Sequence, residues 1–443
     1  MSILMGIIAD DFTGGSDAAS FFANHGIPTF LSNGIPKDPS LRKKWSGDHH
    51  CVIVIAQKIR SIAAEEAVAH ALDACCWLRK EGAEKLFYKY CSTFDSTPKG
   101  NIGPITDAIL EAFDYPYTFL APGLPVNGRT VEQGILKLYG VPLAETHMKN
   151  HPVNPMWDSR IAELMRPQGK YPCIELDRNN LYQSREKIDE YVKTQLSKTS
   201  NAQGKSGPYY VIPDYTKAKD ADQLVATYSD CDFWTGGSGL NDAFSAQFLK
   251  QKNIDATSTE ERVPGKSILF SGSCSEMTLQ QIAHYRLRYP NKAVQIAVRE
   301  VMEGNPEEKI WEKALSIGDG VLIYSSDDAS GRSALAKVYN QEEVSNRLEK
   351  LMGRLAQRAY AAGFNKLIIA GGETSGAITT ALNFSTYQIG KSIAPGVPVM
   401  IPVENEKARL ILKSGNFGQK NFFEEAISFL APEIESGRLE SAT

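Results

Sequence analysis

No apolar run in this 443-residue chain reaches the roughly 18 residues needed to cross a bilayer, so no membrane span is expected. Basic charge is not in excess either. The 48 Lys and Arg against 52 Asp and Glu leave a net charge of −4, which argues against nonspecific nucleic-acid binding. Cysteine is sparse, with seven at positions 51, 75, 76, 91, 173, 231 and 274. The number is odd and CxxC spacing is lacking, so these read as reduced thiols of a cytoplasmic protein. Cys91 and Cys274 lie in polar loops, but neither has a neighbouring histidine, and both read as small packed side chains. His147 and His151 are four apart, yet no Glu lies between them and Pro152 follows, so they make a poor zinc pair. A strand pattern starts at once from the N-terminus without a charged leader, so a signal peptide is not expected. Phosphate-loop fingerprints are missing too. Gly204-Lys205-Ser206 and Gly265-Lys266-Ser267 have Thr199 and Glu260 where a P-loop needs its first glycine, and no GxGxxG closes a strand.

What the chain has is alternation. Apolar runs at 3–8, 51–55, 86–90, 117–121, 209–213 and 232–235 interleave with helical patterns at 18–25, 61–80, 104–113 and 218–228. Such alternation predicts a parallel sheet with helices on both faces. Residues 250–264 are polar and aperiodic. After them the pattern resumes with strands at 267–270, 321–324 and 366–370, a long helix over 341–362 and a short apolar helix over 377–382. The length exceeds one ordinary core. The expected division is a domain over 1–250, a linker over 251–264 and a second domain over 265–443.

The strand ends carry the chemistry. After the strand ending near Tyr88 comes a loop with Ser92, Thr93, Asp95, Ser96, Lys99 and two glycines. Ligands bind open α/β sheets at the carboxyl ends of strands, and this loop could hold a polyhydroxylated anion. A plain turn and helix cap at 95–98 is the competing reading. The first strand opens into Asp10-Asp11-Phe12-Thr13-Gly14-Gly15-Ser16-Asp17, an anion or metal cradle unless Thr13 or Ser16 only caps the helix. Residues 122–130 present Arg129, whose planar fork suits a carboxylate, if it is not a plain surface arginine. Residues 235–239 hold a glycine run that could admit an anion to backbone N–H groups. In the second half, Ser271-Gly272-Ser273-Cys274-Ser275, Gly371-Gly372-Glu373-Thr374-Ser375-Gly376 and Lys413-Ser414-Gly415-Asn416-Phe417-Gly418 are similar turns. The middle one has the form that seats phosphates on a helix N-terminus.

Taken in order over nearly the whole chain, the motifs at 9–14, 91–103, 125–130, 271–275, 371–376 and 413–418 resemble the four-carbon acid sugar kinases. The stretch 91–97 is most similar to their 3-oxo-tetronate 4-kinase branch; related branches act on threonate or erythronate. The resemblance implies two α/β domains with largely parallel sheets flanked by helices and an active site in the cleft between them. The N-terminal domain would hold the acid sugar and the C-terminal one ATP. It places sugar contacts on Asp10, Asp11, Asp95, Ser96 and Arg129. Nucleotide contacts fall on Ser271, Ser273, Gly371, Gly372, Glu373, Thr374, Ser375 and Gly415.

The expected reaction moves the γ-phosphoryl of ATP to the C4 hydroxyl of a 3-oxo four-carbon acid sugar, with Mg²⁺ bridging phosphate oxygens. Asp11, Asp10 and then Asp95 are candidate bases. Residues at a strand end alternate faces, so one member of the Asp10–Asp11 pair should reach the site. Glu373 is a candidate in the metal's water shell, and the metal ligands stay unassigned. Small molecules are the expected partners, neither nucleic acid nor membrane, and a homodimer is compatible. Two rivals are a nonenzymatic acid-sugar sensor, which needs no second phosphate loop, and an NAD-dependent dehydrogenase, which needs a dinucleotide fingerprint.

Overall fold

The computed structural model describes residues 2–45, 49–150, 154–199, 207–252, 254, 259–326 and 338–432. Gly204-Lys205-Ser206, His151 and part of the 251–264 linker lie outside the described residues. The chain divides into two compact units, Met1–Thr257 and Ser258–Thr443.

In the first unit, runs of β-branched and aromatic residues become buried strands. They are β1 (Ile3–Ala9), β2 (Thr29–Asn33), β3 (Cys51–Ala56), β4 (Ala83–Lys89) and β5 (Tyr117–Ala121). Three short strands follow, β6 (Arg129–Glu132), β7 (Ile135–Leu138) and β8 (Val141–Pro142), and then β9 (Cys173–Leu176), β10 (Tyr209–Pro213) and β11 (Phe233–Gly236). The main sheet runs β2-β3-β1-β4-β11-β5-β10-β9, and every pairing in it is parallel. Its register aligns the strand ends: Ala9 lies opposite Ala56 and Lys89, and Gly236 lies opposite Lys89 and Ala121. The loops after β1, β3, β4, β5 and β11 therefore open from one edge. Strands β6, β7 and β8 form a separate antiparallel sheet that the alternation did not announce.

The second unit holds β12 (Lys266–Ser271), β13 (Ala293–Gln295), β14 (Val321–Tyr324), β15 (Phe364–Ala370), β16 (Thr386–Ala394), β17 (Val397–Pro402) and β18 (Arg409–Lys413). Their order is β13-β14-β12-β15-β18-β17-β16. The first four pairings are parallel and the last two antiparallel. Ser271 lies opposite Ala370, and Ala370 opposite Lys413. Again three loops start side by side. The core behind them packs Leu269, Ile368, Ile411, Val399 and Phe422. The polar stretch before β12 is tied to this unit: the Val263 N–H donates to the Leu430 carbonyl (3.2 Å) and Arg409 Nε to the Glu261 carbonyl (3.1 Å).

Candidate active site

In the first unit the strand-end acids meet on one cation. Arg60, in the loop after β3, donates from Nε to Asp10 Oδ2 (2.8 Å) and from Nη2 to Asp10 Oδ1 (2.9 Å). The same Nη2 contacts Asp11 Oδ2, and Nη1 lies 3.8 Å from Asp95 Oδ2. The sequence motifs gave no sign of Arg60, which sits beside what read as a helix start. A buried Asn101 side chain fixes its loop, donating to the carbonyls of Ile59 (2.7 Å), Arg60 (3.3 Å) and Ile62 (3.0 Å). Burial opposes the Arg60 charge, but Asp10 and Asp11 outweigh it and hold the guanidinium above its ordinary value. Burial raises the Asp10 carboxyl above the usual range, against the pull of Arg60.

Asp10 and Asp11 do not alternate across a pleat. β1 stops at Ala9 and the chain turns at once into the helix Phe12–Asn24, so the two acids are no longer on a pleated strand. Both reach Arg60, and they differ in access instead: the Asp10 side chain is 3% exposed and the Asp11 side chain 32%. Asp11 is also the helix cap, its carboxylate accepting from the Gly14 N–H. Neither Thr13 nor Ser16 has that part; the Ser16 hydroxyl donates to the Thr13 carbonyl (2.9 Å).

Further polar groups line this edge. Lys89, the last residue of β4, is buried and donates to the Tyr90 carbonyl (2.9 Å). A Cβ on Gly14 would lie 3.3 Å from its ammonium. Burial raises the Asp17 carboxyl, with the Lys89 ammonium and the Ser238 hydroxyl opposing. A lysine closing a buried strand is the sequence signal for Lys89. Arg129 leads β6. Its Nη1 donates to the Asn127 carbonyl (2.6 Å), while its Nε is buried without a hydrogen-bond partner. Ser96 is placed differently from the other sugar candidates. Its hydroxyl is buried and donates to Gln168 Oε1 (3.2 Å), which also accepts from the Gly103 N–H (3.0 Å). Phe94, in the same loop, holds φ 49° while fully buried, a strained conformation of the kind that gathers at ligand sites. The glycines after β11 serve packing. A Cβ on Gly237 would meet the Pro122 carbonyl at 2.5 Å, so this run admits the neighbouring backbone.

In the second unit the three loops interlock. The Gly272 N–H donates to the Ala370 carbonyl (3.1 Å) and the Gly371 N–H to the Lys413 carbonyl (3.0 Å). Ser275 caps the helix Glu276–Arg288, and the Ser273 hydroxyl reaches Ser275 Oγ at 3.3 Å. The Ser271 hydroxyl is buried against Ser326 Oγ (3.0 Å). Helix Gly372–Ala381 begins in the glycine turn itself, five residues before its apolar stretch, with Gly371 at the cap and Glu373 exposed in the first turn. Thr374 and Ser375 are buried, and the Ser375 hydroxyl donates to the Gly371 carbonyl (2.7 Å). Gly371 has φ 121°, and a Cβ there would lie 3.1 Å from the Ser273 nitrogen; at Gly372 nothing lies within 4 Å. The backbone of residue 372 is thus open to a ligand, as a phosphate cradle requires. Gly371→Ala should destabilise the unit by roughly 1–3 kcal/mol. Gly372→Val should keep the melting temperature but lose most of the upward shift that ATP causes. Thermal melts with and without ATP check both. An unshifted Gly371→Ala melt, or a full ATP response in Gly372→Val, would contradict this.

Among the described residues no cluster of three or more His, Cys, Asp or Glu side chains could hold a metal ion. The acids at β1 are instead neutralised by Arg60. Every cysteine is a free thiol, and no helix among the described residues is long and apolar enough to cross a membrane.

One unit thus gathers acids and cations at its strand ends, and the other presents an open glycine turn: a two-domain α/β protein with a polar-ligand site and a phosphate-type site. Residues 5–244 match the family of sugar-binding N-terminal domains and residues 268–423 that of nucleotide-binding C-terminal domains. The chain is 38% identical over 428 residues to a 3-oxo-tetronate kinase of Brucella melitensis, covering 95% of this chain and 94% of that one. It is 37% identical over 424 residues to a 3-oxo-tetronate kinase of Salmonella typhimurium, covering 95% and 97%. A crystal structure of a Haemophilus influenzae protein superposes with a TM-score of 0.80 at 34% identity, covering 96% of this chain and 99% of that one. The chain belongs to the four-carbon acid sugar kinase family. It is a phosphotransferase with a hydroxyl acceptor, and it uses ATP.

Proposed function

We propose that this protein transfers the γ-phosphoryl group of ATP to the C4 hydroxyl of 3-oxo-tetronate. The observation that carries the reading is 35–38% identity to 3-oxo-tetronate kinases along nearly the whole chain. The fold supports it by placing both sets of polar groups at strand ends. Asp11 is the proposed base, since it is the accessible member of the acid pair. Arg129 is the proposed anchor for the substrate carboxylate, because its planar fork suits a carboxylate and its Nη1 is held by the Asn127 carbonyl. Lys89 adds positive charge for the same anion. The backbone N–H groups of Gly372 and Gly415 would hold the phosphates, with Gly371, Ser271, Ser273, Thr374 and Ser375 fixing those loops. Mg²⁺ would neutralise phosphate charge and keep most of its waters. Glu373, exposed in the first helical turn, fits a place in that water shell. We place the protein in the cytoplasm on its free thiols, and light scattering decides whether it is a homodimer.

ADP release measured over a panel of four-carbon acids tests the function. Turnover on 3-oxo-tetronate well above that on threonate or erythronate supports it; preference for either of those moves the protein to a neighbouring branch. No ADP release with any of the panel, together with a melting shift from acid but not from ATP, would favour the sensor.

Arg129→Lys should weaken acid-sugar binding by roughly 10–150-fold, the range of a charged hydrogen bond of about 1.5–3 kcal/mol, and leave ATP binding nearly unchanged. Titrations of each ligand check this. Equal losses for both would signal a folding defect, and no loss would remove Arg129 from the site.

A further inference from the structure

Lys413 closes β18 with its side chain buried and only 1% of the residue exposed. Its ammonium donates to Thr278 Oγ1 (2.9 Å), to the Gly415 carbonyl (2.9 Å) and to the Ser414 carbonyl (3.3 Å). All three acceptors are neutral, and the Phe422 ring centroid lies 5.8 Å away. Thr278 in turn donates to the Gly415 carbonyl (2.7 Å). The main chain of the same residue holds the third loop, its carbonyl accepting from Gly371. One residue thus ties together the 371–375 turn, the start of the helix Glu276–Arg288 and the Gly415 loop. These loops leave little slack: a Cβ on Gly415 would lie 2.8 Å from Ser275 Oγ and 2.9 Å from Ser273 Oγ.

The acids on the neighbouring elements turn elsewhere. Glu276 accepts from Gln280 (3.3 Å), Glu424 pairs with His284 (3.3 Å) and Glu425 accepts from Asn421 (2.9 Å). Glu373 and Lys420 are exposed. Two other buried cations of this unit do sense acids: Arg409 feels Glu260, Glu261 and Glu406, and Lys366 feels Asp319. Burial alone acts on the Lys413 amine, pulling it down to about 8. A buried charge without a counter-charge is unfavourable, and a polyphosphate on the adjoining loops would supply one.

Resting on the nucleotide assignment above, we infer that Lys413 is a positioning residue that fixes the three phosphate loops and supplies a buried positive charge compensated by the bound nucleotide. The sign follows from linkage. Nucleotide favours the charged amine, so affinity is fullest below the free amine's titration and falls as pH rises above about 8, by up to about tenfold per pH unit. The nucleotide's phosphates, with a second pKa of roughly 6, are already ionised there and do not mimic the effect.

The experiment is calorimetric titration of the full chain with ADP from pH 6.5 to 9.5, in buffers of different ionisation enthalpy. Wild type should take up a fraction of a proton on binding near pH 8.5 and lose affinity above it. Lys413→Met should bind about 10–150-fold more weakly at pH 7, without the pH dependence. Lys413→Arg keeps the charge at every pH tested, so it should bind within about tenfold of wild type with a flat profile. Melting of each variant separates weak binding from misfolding. Flat wild-type affinity without proton uptake would overturn the inference, as would a pH dependence that persists in Lys413→Arg. Wild type failing to bind ADP at any pH would instead overturn the nucleotide assignment itself.

Discussion

Arg60→Met should abolish turnover and lower the melting temperature of the N-terminal unit by roughly 6–20 °C. The magnitude follows from leaving a buried carboxylate without its partner, about 3–5 kcal/mol, at about 2–4 °C per kcal/mol for a unit of this size. Asp10 bears most of it, since both of its oxygens accept from the guanidinium and its side chain is 3% exposed. The pH dependence has a definite sign. Burial already raises the Asp10 carboxyl, and removing Arg60 raises it further, above its unfolded value of about 3.9. The folded variant then holds a proton more tightly than the unfolded chain. Its deficit against wild type should be smaller at pH 5 than at pH 8. Adding Asp10→Asn to Arg60→Met should recover much of the stability without restoring turnover. Melting curves at both pH values, for the single and double variants, decide the matter. A single variant as stable as wild type at pH 8 would mean that the cluster is solvated and weak.

Arg60 also shows where sequence reading ran out. A strand end rich in acids is visible in the chain, because Asp10 and Asp11 follow an apolar run directly and Asp95 lies in the polar loop after another. Their common cation is 50 residues from Asp10 in a loop of ordinary composition, and only the parallel register of β1 with β3 brings it near. Strands buried on every side were legible for the same reason that they are stable: β5, β10 and β14 begin and end where their apolar runs do. The small sheet β6, β7 and β8 was not, since its strands are four, four and two residues long and only three of those ten residues are buried. The hairpin β16–β17 was missed as well; β16 ends in partly exposed residues that carry no clean period. Two glycines at 14 and 15 suggested that the first helix starts at 18. Instead Asp11 caps it at once, and a Cβ on Gly15 would lie 3.1 Å from Leu31 and Ala56 side chains. Close packing there outweighs the low helix propensity of glycine. The glycine turn at 371–376 was the most legible part of the candidate nucleotide site, because few other sequences permit φ near 121° followed directly by a helix.

Asp11→Asn should lower turnover by roughly 10²–10⁴-fold, the range expected for a lost general base, with a modest change in acid-sugar affinity. The substitution is close to isosteric, and asparagine caps helices as well as aspartate does. Its amide oxygen can still accept from the Gly14 N–H, so the helix Phe12–Asn24 should keep its start. Asp10→Asn should behave differently. It turns an amide N–H₂ toward one of two guanidinium donors at 2.8 and 2.9 Å, so its main effect should be on stability, with turnover falling only as far as the Arg60 loop moves. The contrast separates the parts assigned to the two acids: the exposed one acts on substrate and the buried one holds the arginine. A metal role for Asp11 would instead show as a raised Mg²⁺ requirement, partly rescued by excess Mg²⁺. Turnover and melting temperature measured together for both variants give the answer. Should both turn over within threefold of wild type, the pair leaves the mechanism, and Asp95, 3.8 Å from the same guanidinium, becomes the acid to replace.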